Sequence, residues 1–241
     1  MQPDRRKPGS DAPATGSATS ALDAEDTARM LRDIASEVEL THRYIGKRAL
    51  APEVLAAMRE VPRHEFVPAA IQHAAYDNGP LPIGHGQTIS QPYIVALMTD
   101  LLQPKASDRV LEVGTGSGYQ AAVLSRLVKH VYSTEIVAPL AFEAQARLQR
   151  LGYANISVCL SDGYAGWPEH APFDAIMVTA AAPHIPPPLV EQLKAGGRLV
   201  IPLGLPYMTQ WLTLLEKDTD GRVRTHDILP VAFVPLTGRG H

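Results

Sequence analysis

The chain has 241 residues, a formal net charge of −3, a hydrophobic content of 45% and a single cysteine, Cys159. A slightly acidic protein without basic clusters in its body is not suited to binding driven by neutralised nucleic-acid phosphates. No apolar run approaches the roughly 20 residues of a membrane-spanning helix, and no signal sequence follows Met1. The lone cysteine excludes an intrachain disulfide and fits a reducing compartment. We expect a cytoplasmic protein without nucleic-acid or membrane partners, and as a working expectation a monomer.

The chain begins with a predicted disordered tail and a predicted helical cap. Residues 1–21 are rich in Pro, Gly, Ser, Thr and Ala, a composition that buries too little apolar surface to order itself. From residue 22, apolar side chains at helical spacing predict a first helix, and Pro52 begins a second that runs through Met58. We expect residues 22–75 to cap a ligand site, within one domain that spans residues 22–241.

A loop and a helix follow the cap. Two prolines and three glycines lie between Asn78 and Gly86, so residues 76–92 are predicted to form a shaped loop with neither helix nor strand. Pro92 suits the first turn of a helix predicted over residues 92–101. Ser90 lies just before that helix, and its spacing alone favours a role as the helix N-cap.

The glycine-rich segment 110–119 predicts a nucleotide site. An apolar stretch with one acid, Glu112, runs into Gly114, Gly116 and Gly118, and a segment compatible with a helix covers residues 119–128. Glycines let the backbone turn tightly against a ligand. Tyr119 occupies the place of the third glycine in a dinucleotide fingerprint, which favours S-adenosylmethionine over NAD. Such loops serve many cofactors, so this motif alone is moderately specific.

The segments after the glycine loop predict an α/β fold with a doubly wound, mostly parallel sheet. Strands are predicted over residues 130–135, 156–160, 173–178 and 197–202, alternating with helical segments over residues 119–128, 138–151 and 188–193. Residues 211–215 and 227–236 resemble further strands, with a hairpin turn signalled at residues 218–221. In such sheets ligands bind at the carboxyl ends of the strands.

Acidic residues fall at three successive strand ends, namely Glu112, Glu135 and Asp162. Glu135 lies about 20 residues beyond the glycines, where an acid meets ribose hydroxyls in related folds. Asp162, at the next strand end, is a candidate acceptor for an adenine amino group. A single acid at a strand end is most often a turn or helix-cap residue. Three beside one glycine loop favour a cofactor site. The nine histidines form no ligand cluster, so no metal is expected.

Several segments together resemble protein-L-isoaspartate O-methyltransferases, a protein-repair family. The matching segments are residues 61–68 (VPRHEFVP), 82–92 (PIGHGQTISQP), 110–119, 161–163, 173–182 and 233–238. The glycine loop is shared by many methyltransferases, whereas residues 61–68 and the GQTIS sequence are specific to this family. The resemblance covers roughly residues 30–238 and leaves the tail outside.

This resemblance implies a Rossmann-like class I methyltransferase fold of seven strands with the last antiparallel, and S-adenosyl-L-methionine as cofactor. It implies methylation of the free α-carboxylate of L-isoaspartyl residues, and more weakly of D-aspartyl residues, in age-damaged proteins. The methyl ester then closes to a succinimide, and S-adenosyl-L-homocysteine is the other product. The family's catalytic serine corresponds to Ser90.

We assign the site residues as hypotheses. The cofactor is expected to contact Glu112, Gly114, Thr115, Gly116, Glu135, Ile136, Asp162 and Gly163. Glu112 is expected either to orient the glycine loop or to meet the methionine ammonium. The peptide is expected to contact Thr88, Ile89, Ser90, Val234 and Thr237, although core packing explains Ile89 and Val234 equally well. Ser90 is expected to donate a hydrogen bond to the substrate carboxylate, with no general base, because a carboxylate is already ionised at neutral pH.

Three alternatives remain open on the sequence. A methyltransferase for a small-molecule carboxylate or another nucleophile shares the same cofactor loop, and only residues 83–92 favour protein repair. A silent cofactor-binding module is opposed by the intact Ser90 segment. A nicotinamide dehydrogenase is disfavoured by Tyr119.

Overall fold

The computed structural model describes residues 16–205 and 208–238, with side chains from residue 24 onward. The helices are α1 Gly16–Ile45, α2 Pro52–Glu60, α3 Pro92–Leu102, α4 Tyr119–Ser125, α5 Ala138–Arg150 and α6 Pro187–Gln192. The strands are β1 Leu81–Gly84, β2 Gln87–Ile89, β3 Arg109–Val113, β4 His130–Glu135, β5 Ile156–Leu160, β6 Phe173–Val178, β7 Leu193–Leu203, β8 Gln210–Lys217 and β9 Val223–Val231. Among the described helices, none is long and apolar enough to cross a membrane.

The main sheet has seven strands in the order β5-β4-β3-β6-β7-β8-β9. Strands β3 to β7 pair in parallel, which confirms the predicted doubly wound, mostly parallel sheet. Within β3, Val110 belongs to the hydrophobic cluster on one face and Leu111 to the cluster on the other. This burial on both faces explains why the strands read as near-continuous apolar runs.

The prediction that the last strand runs antiparallel to the others was wrong. Strand β8 is antiparallel to both of its neighbours, β7 and β9, so the final strand β9 runs in the same direction as β3 to β7. Short connections dictate this arrangement, because a tight turn can join only antiparallel strands. The turn between β8 and β9 is closed by the Asp218 amide donating to the Arg222 carbonyl at 2.8 Å, as the hairpin signal predicted.

The N-terminal region differs from expectation at two points. Residues 16–21, expected to belong to the disordered tail, form the first turns of α1, and residues 1–15 lie outside the described range. Extending an existing helix fixes one residue for each hydrogen bond gained, so the small residues there can follow the helix. In addition, α1 packs against α2, α3 and β9. None of the described residues of the predicted cap lines the cofactor cavity introduced below.

Residues 76–92 contain a β-hairpin, in contrast to the predicted structureless loop. Strands β1 and β2 pair antiparallel, with Gly84 opposite Gln87. The two residues between them, His85 and Gly86, have φ angles of 53° and 70°. Positive φ at both central residues is what a type I′ hairpin turn requires. The hairpin delivers the chain to Ser90 immediately before α3.

Candidate active site

A cavity of about 760 Å³, including its mouth, lies at the carboxyl ends of β3, β4 and β6. This is the edge of the sheet at which doubly wound folds bind ligands. The predicted site residues that line the cavity are Thr88, Ile89, Ser90, Gly114, Thr115, Gly116, Glu135, Ile136, Gly163, Val234 and Thr237. Of the other predicted residues, Glu112 lies beneath the cavity and Asp162 lies beside it.

The glycine loop follows β3 and is held by hydrogen bonds to neighbouring strands. The amides of Gly114 and Thr115 both donate to the Thr134 carbonyl, at 2.8 and 3.1 Å. Gly114 has a φ of 101°, and a Cβ atom there would lie 2.4 Å from Oγ1 of Thr179. Only glycine combines this backbone conformation with so close a neighbour. The loop backbone therefore forms a wall of the cavity that a ligand can approach closely at the glycines.

Glu135, at the end of β4, holds the glycine loop in place through its carboxylate. Its Oε2 accepts a hydrogen bond from the Gly116 amide at 2.8 Å, and its Oε1 accepts one from the Val137 amide at 2.9 Å. A carboxylate has about four acceptor positions, so two remain for ligand hydroxyl groups. The side chain is 7% exposed, and it lines the cavity with this remaining capacity.

Glu112 is fully buried below the cavity and connects to it through two hydroxyl groups. Its Oε2 accepts a hydrogen bond from the Ser133 hydroxyl, whose oxygen lies 2.6 Å from Oγ1 of Thr115. Its other oxygen, Oε1, has no hydrogen-bond partner among the residues that the structure describes. Burial, opposed by the bond from Ser133 and reinforced by the nearby Glu135 carboxylate, raises the pKa of Glu112 to about 8. Of the two predicted roles, this placement favours orientation of the glycine loop.

Asp162 lies in an open depression next to the cavity, lined also by Ile136, Ala138, Leu160 and Ser161. Its Oδ1 accepts a hydrogen bond from the Tyr164 amide at 3.0 Å, so it caps the short 3-10 helix Gly163–Ala165. The cap role that is common for such acids is therefore realised here. Gly163 lies inside the cavity wall, where a Cβ atom would approach Cγ1 of Val113 to 2.3 Å.

Ser90 lies between the cavity and an adjoining groove. Thr88, Ser90, Thr179 and Val234 line both, and the groove is completed by Pro80, Gln91, Ile94 and residues 230–233. The N-cap of α3 is Gln91, and no side chain caps that helix. The alternative that Ser90 serves as the helix N-cap is therefore wrong, and its side chain is left for another partner.

The carboxyl-terminal segment closes one side of the cavity. The Ala181 amide donates to the Val234 carbonyl at 2.8 Å, and the Leu236 amide donates to the Ala181 carbonyl at 2.7 Å. This pairing places Val234 and Thr237 in the cavity wall, and their contact with a peptide stays a prediction. Ile89 lies both in the main hydrophobic cluster and in the cavity wall, so core packing does not remove it from the cavity surface.

Sequence reasoning missed Thr179, which the structure places at the centre of the site. Thr179 follows β6, its hydroxyl donates to the Gly114 carbonyl at 2.6 Å, and it lines both the cavity and the adjoining groove. The rule that ligands bind at the carboxyl ends of parallel strands could have identified it. Other lining residues that were not singled out include Val95, Ser117, Gln120 and Thr134.

The residues present fit the expected S-adenosylmethionine. The cavity is open at its mouth and is lined by apolar residues together with a few polar groups, as cofactor sites commonly are. The glycine loop supplies close backbone approach, and Glu135 retains acceptor capacity for vicinal hydroxyls. The depression beside Asp162 is lined by the apolar side chains of Ile136 and Leu160, which suits a flat ring.

Comparison with known proteins identifies the family. The family model for protein-L-isoaspartate(D-aspartate) O-methyltransferase matches residues 35–241. A protein-L-isoaspartate O-methyltransferase 2 of Syntrophobacter fumaroxidans is 60% identical over 95% of this chain and 93% of its own length. Another of the same name from Polaromonas sp. is 62% identical over 87% of this chain and 100% of its own.

Solved structures agree in fold. A structure named protein-L-isoaspartate O-methyltransferase superposes with a TM-score of 0.74 and 30% identity, covering 83% of this chain and 66% of that one. A Plasmodium falciparum candidate for the same enzyme, solved in complex with S-adenosyl-L-homocysteine, gives a TM-score of 0.70 and 26% identity over 87% of this chain and 97% of that one. The chain has the class I methyltransferase fold and belongs to the protein-L-isoaspartate(D-aspartate) O-methyltransferase family.

Proposed function

We propose that this protein transfers a methyl group from S-adenosyl-L-methionine to the free α-carboxylate of L-isoaspartyl residues, and more weakly of D-aspartyl residues, in damaged proteins and peptides. The observation that carries the proposal is the position of Ser90, which lines both the cavity and the adjoining groove. A cofactor in the cavity and a peptide in the groove would meet at this residue. The resulting ester would close to a succinimide and reopen partly to aspartate.

The cofactor would be held by residues of the cavity wall. We assign the ribose hydroxyls to Glu135, and the adenine edge to Asp162 and Gly163 with Ile136 beside them. Gly114, Thr115 and Gly116 would approach the methionine part through the loop backbone. Glu112 would act from below, since its contact with the cavity runs through Ser133 and Thr115. When bound, S-adenosylmethionine supplies a methyl group already activated by the positive sulfur.

The protein's part of the reaction is orientation of the carboxylate. A free carboxyl group has a pKa near about 4, so the acceptor is ionised at neutral pH and needs no general base. Among the described residues, no base is hydrogen bonded to the Ser90 hydroxyl, which opposes a role as covalent nucleophile. A neutral hydroxyl donor orients the anion without quenching its reactivity. Such placement can lower a barrier by roughly 7–11 kcal/mol.

The adjoining groove suits an extended peptide of variable sequence. Its walls come from the hairpin side, with Pro80 and Thr88, and from the end of β9 and the residues after it. A segment leaving an edge strand offers backbone groups, which bind an extended chain with little dependence on its side chains. A repair enzyme needs this tolerance, and we assign Thr88, Ile89, Val234 and Thr237 to peptide contact.

The cellular setting follows from composition. One cysteine in 241 residues and a net charge of −3 support a reducing, cytoplasmic location without a nucleic-acid partner. We propose that the methyltransferase domain, which begins with α1, acts as a monomer without a membrane partner. Size-exclusion chromatography with light scattering tests the monomer directly.

The function is tested with two peptides that differ only in an isoaspartyl or an aspartyl linkage. Incubation with radiolabelled-methyl S-adenosylmethionine should place base-labile label on the isoaspartyl peptide alone. Label on neither peptide, with S-adenosylhomocysteine still binding, would favour the alternative of a small-molecule acceptor. Absence of both binding and transfer would exclude a methyltransferase.

A further inference from the structure

The family-specific segment at residues 61–68 contains a fully buried arginine that the proposed function does not explain. Arg63 has an exposed fraction of 0%. Its Nε donates to the Ala75 carbonyl at 2.7 Å, and its Nη2 donates to the Ser90 carbonyl at 2.7 Å. Arginine is almost never fully buried unless it is paired. The hydrogen bond from this buried arginine to the Ser90 carbonyl therefore needs an explanation.

The buried charge of Arg63 lacks a carboxylate counter-ion. Within residues 24–205 and 208–238, the titratable groups that act on the guanidinium are Tyr119 and Tyr76, with no carboxylate among them, and its Nη1 has no hydrogen-bond partner. Burial lowers the pKa of Arg63, which shows that the surroundings disfavour the cation. The charge is compensated by two carbonyl dipoles and by the ring of Tyr119, whose centroid lies 4.8 Å from Cζ. An apolar side chain of similar size would avoid this energetic cost.

The three groups that contact Arg63 belong to different parts of the site. Ser90 precedes α3 and carries the hydroxyl assigned to the substrate. Tyr119 is the first residue of α4, directly after the glycine loop, and it lines the cavity. Ala75 follows the second of two 3-10 helices, Arg63–Phe66 and Ala69–Ala74, which lead from α2 to the hairpin. One rigid, planar guanidinium thus contacts both the segment assigned to the substrate, at Ser90, and the helix that follows the glycine loop, at Tyr119.

We propose that Arg63 is a positioning residue that fixes the Ser90 backbone relative to the glycine loop and α4. The inference rests on the proposed function, because it assigns Arg63 an effect on methyl transfer through Ser90. A displacement of about 1 Å at a reacting group can lower a rate by about 100-fold. The planar fork matters in addition to the charge, since a lysine ammonium cannot present two fixed donors to carbonyls on different segments.

The test compares Arg63→Lys and Arg63→Met with Arg59→Met, which removes an exposed arginine from α2. Both Arg63 variants should lower kcat for an isoaspartyl peptide by about 10- to 100-fold. Calorimetric affinity for S-adenosylhomocysteine should stay within about threefold, because no hydrogen bond to the cofactor is removed. Hydrogen exchange should rise in a peptide covering residues 87–91. Arg59→Met should match the wild type in all three measurements.

A double-mutant cycle shows whether Arg63 acts through Ser90. If it does, substituting Arg63 in a Ser90→Ala background should change kcat by less than about threefold, because the two effects overlap. A full additional loss in that background, wild-type turnover by Arg63→Lys, or an equal loss of cofactor affinity would each overturn the inference. Should Arg63→Met fail to fold, Arg63→Lys decides the question.

The inference and the proposed function fail in different ways. Wild-type protein that does not methylate the isoaspartyl peptide overturns the proposed function. In that case hydrogen exchange at residues 87–91 still tests the positioning role, and unchanged exchange in both Arg63 variants overturns it.

Discussion

The buried carboxyl group of Glu112 should make the protein less stable as pH rises, and Glu112→Gln should remove this effect. The pKa of Glu112 is raised from an ordinary 4.5 to about 8 in the folded protein. Below pH 4.5 both the folded and the unfolded chain hold the proton. Between these two values the unfolded chain releases it while the folded chain retains it, so the free energy of unfolding falls with pH. Above about pH 8 the loss is complete.

The magnitude follows from the size of the shift. Each pKa unit corresponds to about 1.4 kcal/mol, so the shift of Glu112 amounts to a total of several kcal/mol. Most of this change falls between pH 5 and 8. Over that range the free energy of unfolding of the wild type should decrease by about 3–4 kcal/mol relative to that of Glu112→Gln. Gln keeps an acceptor for Ser133 and leaves an amide with no acceptor, which costs a constant about 1–3 kcal/mol at every pH.

The measurement is urea unfolding of both proteins at pH 5, 6, 7 and 8. The difference in free energy of unfolding, variant minus wild type, should increase steadily across this range. Glu53→Gln, which removes an exposed carboxylate at the start of α2, controls for the loss of one negative charge. Parallel curves for wild type and Glu112→Gln would refute the reasoning, because they would mean that the folded protein ionises Glu112 as readily as the unfolded chain.

Two further substitutions test the cofactor site. Glu135→Ala should weaken S-adenosylhomocysteine binding in calorimetry by about 10- to 100-fold, since hydrogen bonds to a charged group contribute about 1.5–3 kcal/mol. Turnover at saturating cofactor should change less, and an unchanged affinity would contradict the assignment. Gly163→Ala should lower the free energy of unfolding by about 1–3 kcal/mol, because its Cβ would lie 2.3 Å from Cγ1 of Val113. Gly79→Ala, with no atom within 4 Å of its added Cβ, is the matched control. Equal free energies of unfolding for the two variants would show that Val113 moves aside without cost, which would contradict the prediction.

The parallel strands were predictable from sequence because their apolar runs are bounded by turn residues, both in the buried strands β3 and β6 and in the half-buried edge strand β5. Residues 130–135, 156–160 and 173–178 form strands at the predicted bounds. The sequence also predicted α3 to within one residue, with Pro92 at its start. A short apolar run bounded by turn residues was therefore enough to predict where these strands begin and end.

The hairpin before Ser90 was not predictable in the same way. Its turn consists of His85 and Gly86, whereas the sequence signals for such a turn are Asn-Gly, Asp-Gly and Gly-Gly. The direction of β9 also escaped prediction, because it depends on the pairing of β8 with β7 and not on any local pattern.

Strand ends identified the glycine loop, Glu135 and Gly163 as part of the cavity wall, whereas contacts between distant segments stayed hidden. Gly114, Glu135 and Gly163 follow successive strands, and the rule for parallel sheets places them together. Arg63 lies 27 residues before Ser90 in the chain, and no spacing rule connects them. The burial of Glu112 beneath the loop likewise depends on packing across the sheet.

The most direct test of the account is the paired-peptide assay carried out with wild-type protein and Ser90→Ala together. The account predicts that wild type methylates only the isoaspartyl peptide. It also predicts that Ser90→Ala does so about 100- to 1,000-fold more slowly, the usual loss on removing one positioned donor, while calorimetric affinity for S-adenosylhomocysteine is unchanged. Near-normal turnover by Ser90→Ala, or equal methylation of both peptides by the wild type, would contradict it.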